Sequence, residues 1–335
     1  MNSQVFKTLE FDKILETVKS YASMDVTADR FEGDVVSDNI KKINIMQNET
    51  EQAVVLITKK GNPPVMCKTD IRPPLSRAVR GGILSIPEIL AVGRVLQTAQ
   101  RLKSYPDDIE CDALKEHFEA LYTNKELEKR IFASIIDDET LADDASPELG
   151  DIRRKIKAAN NKVRDVLKGI ISSPAYSKCL QEQIITMRGD RYVVPVKSEY
   201  KGTIKGIIHE TSSTGATLFV EPMSVVEANN EIRELADREK DEIERILAEF
   251  SAHIANEAEI TEMTFNVISE LDFIFARAHH ALRYDCYRPV LNSDGYINLE
   301  KARHPLLDPK KAVPINVNLG KDFDTLVVTG PNTGG

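Results

Sequence analysis

The chain has 335 residues, a formal net charge of −9 from 44 Lys+Arg against 53 Asp+Glu, and 41% hydrophobic residues. That supports buried cores for two or three domains of about 150 residues and argues against wholesale disorder, while the modest Gly and Pro content favours long helices. Four scattered cysteines (Cys67, Cys111, Cys179 and Cys286) exclude a disulfide scaffold, and no stretch approaches the roughly 18 apolar residues of a membrane helix.

Met1 to Lys7 lack the basic and apolar regions of a signal peptide, so a cytoplasmic protein without a membrane partner is expected. Residues 1–145 read as a bundle of short helices. Ile14, Leu15 and Val18 form a first apolar stripe, and Ile40 to Lys59 a second that ends at Gly61-Asn62-Pro63-Pro64. Ser85-Ile86-Pro87-Glu88 signals a helix start running to Lys103, followed by helices over 107–122 and 124–136. Arg72 and Arg80 read as surface or capping groups.

Residues 146–260 carry a different pattern. From Asp151 to Ile171 the apolar positions Ile152, Ile156, Ala159, Val163, Val166 and Ile170 repeat at steps of four and three, the seam of a coiled coil. The rest of this helix holds seven basic residues against two acidic ones. A second long helix, over 223–260, carries eleven acidic and four basic residues between Val225 and Ile260. The two are expected to pair antiparallel with complementary charge.

Between them, residues 182–221 form an island of strand character with turns at Arg188-Gly189-Asp190 and Thr211 to Gly215. Arg188, Arg191, Lys197, Lys201 and Lys205 make this island basic within an acidic chain. That composition suits sequence-independent contact with the phosphates of a polyanion. Asp190, Glu199 and Lys201 also have the residue types of a metal-dependent nuclease, in which carboxylates hold Mg²⁺ and a lysine stabilises developing charge.

Residues 261–290 read as a buried core helix whose His279-His280 lacks further ligands at metal spacing. In 291–335, Gly295 to Leu299 reads as a strand, and Asp324 to Thr329 as a strand buried on both faces. The latter runs into Gly330-Pro331-Asn332-Thr333-Gly334-Gly335. Gly330 and Gly335 stand at the spacing of a phosphate-binding loop, whose Lys and hydroxyl residue would be the next two positions. The expected fold class is mainly α with a small β insert: a helical bundle, a long antiparallel coiled-coil arm bearing a small sheet, and the first strands of a further domain.

Several segments carry a resemblance. Thr329 to Gly335 is similar to the nucleotide-binding loop of the MutS family, and Arg303-His304-Pro305 to the turn that precedes its ATPase domain. Ser269-Glu270-Leu271-Asp272 and Tyr287-Arg288-Pro289 resemble its core helix and linker. Thr8 to Lys13, Arg191 to Lys197 and Ser213 to Pro222 resemble the second bacterial branch, which ends in an Smr nuclease domain. The resemblance spans essentially the whole chain.

It implies the core, lever and clamp of a dimeric ABC-type ATPase, cut inside the phosphate loop. The branch is associated with suppressing homologous recombination on branched DNA and with rescuing collided ribosomes. ATP and Mg²⁺ would serve the full-length protein, Gly330 to Gly335 holding phosphates and Val313 and Pro314 lying near the adenine. Branched or duplex DNA, ribosomal RNA and a second copy are the implied partners. With neither the loop Lys nor the Mg²⁺-binding hydroxyl, the chain by itself is expected to bind no nucleotide and hydrolyse no ATP.

Overall fold

A computed structural model of the chain describes residues 3–32, 36–308 and 310–330. The chain is mainly helical with a small antiparallel sheet. Eleven helices are described: α1 (Ser3–Thr8), α2 (Phe11–Lys19), α3 (Asp25–Arg30), α4 (Ile40–Lys60), α5 (Arg72–Val79), α6 (Ile86–Ser104), α7 (Asp112–Glu119), α8 (Lys125–Ser134), α9 (Pro147–Ile171), α10 (Met223–Asn256) and α11 (Ala258–Tyr284). Six strands accompany them: β1 (Thr186–Arg188), β2 (Arg191–Lys197), β3 (Gly206–Thr211), β4 (Thr217–Pro222), β5 (Ile297–Ala302) and β6 (Ile315–Leu319). None of the described helices is long and apolar enough to cross a membrane. The chain divides into two compact units, one of Met1–Pro73, Ala91–Glu128 and Glu257–Gly335, the other of Pro74–Leu90 and Lys129–Asn256.

The first unit is organised around α11. Phe265, Ile268, Leu271, Ile274 and Phe275 are buried, each large side chain contributing about 1.5–3 kcal/mol of transfer free energy. Phe273 stacks on Phe31 at 4.6 Å between centroids, in a cluster with Val18 and Ala276. One carboxylate interrupts this apolar run. Asp272, 2% exposed, accepts the backbone N–H groups of Ser23 and Met24 at 3.0 Å, satisfying donors at the entry of α3. Arg288 fastens the segment after α11 to α4, its Nε donating to Gln47 Oε1 at 3.1 Å. The rings of His279 and His280 stack on Tyr21 and tilt against Tyr284.

In the second unit α9 and α10 run antiparallel. Ser146 Oγ accepts from the Leu149 N–H at 3.0 Å and donates to Glu242 Oε1 at 2.6 Å, so the start of α9 lies beside the middle of α10. At the other end Val163 and Leu167 share a core with Val225 and Ala228. Arg245 and Ser146 hold the Glu242 carboxyl down at about 2, with Arg245 the larger influence.

Three boundaries differ from the sequence expectation. Helix α9 starts at Pro147 rather than Asp151, because Ser146 caps it with proline in the first turn. The helix expected over 223–260 ends at Asn256 and α11 begins at Ala258. The helix expected over 107–122 shortens to Asp112–Glu119. The run Asp324 to Thr329 forms no strand, and Leu326, Val327 and Val328 are exposed. A doubly buried strand needs sheet neighbours and covering helices, and the described residues supply none there: β5 and β6 pair with each other as an antiparallel hairpin.

Candidate nucleic-acid interface

The four-stranded sheet of the second unit has the order β1-β2-β4-β3, every pairing antiparallel. Val194, Val196, Leu218 and Val220 bury one face against Val163 and Leu167 of α9 and Val225 and Ala228 of α10. Leu180 bridges to Val196 and Gln181 N donates to Pro195 O at 2.9 Å, so the segment leaving α9 lines the outer side of β2.

A polar hub ties these strands to α10. Glu221 on β4 is fully buried, yet its carboxylate accepts from Arg191 Nη1 of β2 at 3.0 Å and from Asn229 Nδ2 of α10 at 2.7 Å, and lies 2.6 Å from His209 Nε2 of β3. The pairing register skips at His209, between Ile208↔Val220 and Glu210↔Phe219, a bulge that brings the imidazole to Glu221. Asn229 also donates to Tyr192 O at 3.3 Å. Burial pushes the Glu221 carboxyl upward, but the bonds from Asn229, His209 and Arg191 outweigh it and hold the group below the usual carboxylate range. Gly206 is required beside this hub, since a Cβ there would stand 2.1 Å from the Glu221 carbonyl oxygen.

The five basic residues expected to form one patch are not brought together. Arg191 is committed to Glu221, and Arg188 pairs with Glu210 at 2.7 Å while lying 3.7 Å over the ring of Phe219. Lys197 faces Thr217, the first residue of β4, whereas Gly206, next to Lys205, faces Pro222, the last. The two ends are about 17 Å apart at strand rise.

One end collects cations and hydroxyls. Ser198 N donates to Ala216 O at 2.9 Å and Lys201 N to Ser198 O at 3.2 Å, which sets Lys197 and Lys201 beside the exposed Ser213-Thr214-Gly215 turn. Lys201 and Lys205 are exposed, and neither they nor Lys197 has an ion pair among the described residues. The hub of Glu221, His209 and Asn229 is what sequence reasoning missed. A glutamate ending the apolar run Leu218-Phe219-Val220 was its one visible signal.

The nuclease triple does not assemble. Asp190 precedes β2 and Glu199 follows it, and the seven extended residues between span about 23 Å. Two carboxylates sharing a divalent ion must lie within about 5 Å. Among the described residues no group of three or more His, Cys, Asp or Glu side chains could hold a metal. Of the phosphate-loop candidates, Gly330 is described, while Pro331, Asn332, Thr333, Gly334 and Gly335 lie outside the described residues. Val313 and Pro314 are exposed.

No protein-family model matches the chain. Curated proteins match it along its entire length. Endonuclease MutS2 of Acetivibrio thermocellus is 45% identical over 340 residues, a match covering 100% of this chain and 43% of that protein. Endonuclease MutS2 of Ruminiclostridium cellulolyticum is 42% identical over 339 residues, and that of Caldicellulosiruptor saccharolyticus 41% over 336, with the same two coverages. The chain thus spans less than half the length of these relatives.

Proposed function

Since the chain belongs to the MutS2 family, we propose that its second unit is a clamp that grips the phosphate backbone of a nucleic acid, and that its first unit is the helical core and lever carrying the clamp. In this assignment α9 and α10 form the coiled-coil arm and the four-stranded sheet its working end. The observation that carries the proposal is the end of the sheet where Lys197 and Lys201 stand beside an exposed hydroxyl-bearing turn, on a sheet packed against the arm by its apolar face and, at its opposite end, through Glu221 and Asn229. Lysines and hydroxyls on a rigid platform bind phosphates without reading bases, and such binding weakens steeply with salt.

ATP and Mg²⁺ are proposed as ligands of the longer protein, with Gly330 to Gly335 as this chain's share of the phosphate cradle. Glycine backbone there suits phosphate oxygens, because successive N–H groups can turn toward them. In the longer protein, as a homodimer, two clamps enclosing a branched duplex would oppose recombination, and two clamps gripping ribosomal RNA would part a stalled ribosome. The endonuclease activity named for the relatives would lie beyond the residues matched here.

The test is the affinity of the chain for a 30-base-pair DNA, a branched DNA and intact ribosomes across a salt series. Changing Lys197, Lys201 and Lys205 to Gln is expected to flatten the log–log salt dependence by roughly 2–3, near 0.9 per lost phosphate contact. The ligand bound most tightly assigns the longer protein's role. Equal binding and equal slope in parent and variant would overturn the assignment of the clamp surface.

A further inference from the structure

The charge complementarity between α9 and α10 is left largely unused in their pairing. Across the interface Arg153 bonds Glu239 at 2.7 Å and Arg238 bonds Glu148 at 2.6 Å. Glu242 is buried against Ser146 and Arg245, and most of the other charges face solvent. Lys157, Lys162, Arg164 and Lys168 on α9 are exposed, as are Glu227, Glu231, Glu234 and Asp237 on α10, and none of these has an ion pair among the described residues. Arg233 and Lys240 are exposed on α10 as well, so the helix pair is two-sided by balance, with cations in excess along α9 and carboxylates in excess along α10.

The α9 cations are ordered. Lys157, Arg164 and Lys168 recur at steps of seven and four, with the neutral Asn161 between the first two, so they lie on one face, clear of the buried Ile152, Ala159, Val163 and Leu167. The face extends about 16 Å from Lys157 to Lys168. It reaches the sheet at the start of β2, where the Arg164 guanidinium lies 5.9 Å from the Tyr192 ring, about 17 Å at strand rise from Lys197. Of the acidic residues on α9, Asp151 is taken up by Arg154 and Lys155, and Asp165 falls on a neighbouring face.

We infer that this stripe is a second phosphate-binding surface, on which double-stranded DNA held at the sheet is laid along α9 and repelled from α10. The inference presupposes the clamp interface proposed above. A rigid helix offering cations over 16 Å matches about five phosphates of one duplex strand. The stripe carries no aromatic ring on which an unstacked base could lie, which favours duplex over single strand.

The experiment measures the intact chain binding a 30-base-pair DNA from 50 to 300 mM salt. The variant Lys157→Gln/Lys168→Gln spares Arg164, which packs on Tyr192, and its circular dichroism and thermal midpoint should equal the parent's. It is expected to lose at least about tenfold in affinity at 100 mM salt and to flatten the salt slope by roughly 2. Lys157→Arg/Lys168→Arg should restore both. Glu227→Gln/Glu231→Gln/Glu234→Gln on α10 should cost no affinity. If Lys157→Gln/Lys168→Gln binds like the parent while Lys197→Gln/Lys201→Gln/Lys205→Gln weakens, the stripe is only a solvated face and the sheet interface stands. If both variants bind like the parent, the interface itself fails. Response of a duplex RNA, with none from the DNA, would overturn the choice of ligand.

Discussion

Replacing Glu221 by alanine is expected to destabilise the second unit by about 3–5 kcal/mol, the usual consequence of removing one partner from a buried charged pair. The carboxylate is fully buried and joins three strands and one helix through Arg191, His209 and Asn229. Its loss leaves the mostly buried Arg191 guanidinium without its carboxylate, and an amide and an imidazole without that acceptor. Glu221→Gln preserves volume but turns an amide toward Arg191 or Asn229, so it should fall between the parent and Glu221→Ala. Urea unfolding followed by a probe in the second unit would check the order.

The pH dependence follows from the same geometry. The folded carboxyl is held below its ordinary value, so its contribution is complete above the unfolded value of about 4.3 and disappears as the pH falls through the folded value. The parent should therefore lose stability on acidification below about pH 4.3, and Glu221→Gln should lose less. An acid limb equally steep in both proteins would remove Glu221 from the explanation.

Asp272→Ala in the first unit should cost about 1–3 kcal/mol, because the buried Met24 N–H at the entry of α3 would lose its acceptor and the part-buried Ser23 N–H would turn to solvent. Asp272→Asn should recover part of the loss, since one oxygen in the Oδ2 position can still accept from both Ser23 and Met24 while the amide nitrogen faces the Ser23 N–H. Here the pH dependence has the opposite sign. Burial, partly offset by the N–H groups of Ser23 and Met24, raises the folded carboxyl above its ordinary value. The folded state therefore binds the proton more tightly, and the Asp272 contribution weakens as the pH rises past about 3.9. Denaturant midpoints of parent and variants from pH 4 to 7 would test both sign and size. A midpoint for Asp272→Ala within error of the parent would contradict the capping role.

These two carboxylates also mark where sequence reasoning stops. The 4–3–4 spacing of Ile152, Ile156, Ala159 and Val163 exposes the buried side of α9 because a helix repeats its own geometry locally. Glu221 and Asp272 each interrupt or close an apolar run, which signals a buried polar group and no more. Their partners come from Asn229 on another element and from Ser23, 249 residues away, and no local pattern encodes such pairings. His209 reaches Glu221 through a bulge, and a bulge is a property of the strand pair.

The break between α10 and α11 is hidden for a different reason. Phe250, Ile254, Ala258, Thr261 and Phe265 continue the buried periodicity across it with neither Gly nor Pro. Conversely, Asp190 and Glu199 look adjacent in sequence, yet an extended strand holds them apart. The basic island is legible as composition. The ion pairs that neutralise Arg188 and Arg191, and leave the three lysines without one among the described residues, depend on Glu210 and Glu221 across the sheet.

The central claim is that the sheet of the second unit is where this chain holds a nucleic-acid backbone. Photo-crosslinking of a duplex DNA bearing reactive groups on its phosphates, followed by peptide mapping of the intact chain, tests it most directly. Crosslinks are predicted at Lys197, Lys201 and the Ser213-Thr214 turn, suppressed by salt. Crosslinks confined to the first unit, or distributed without regard to the sheet, would contradict it.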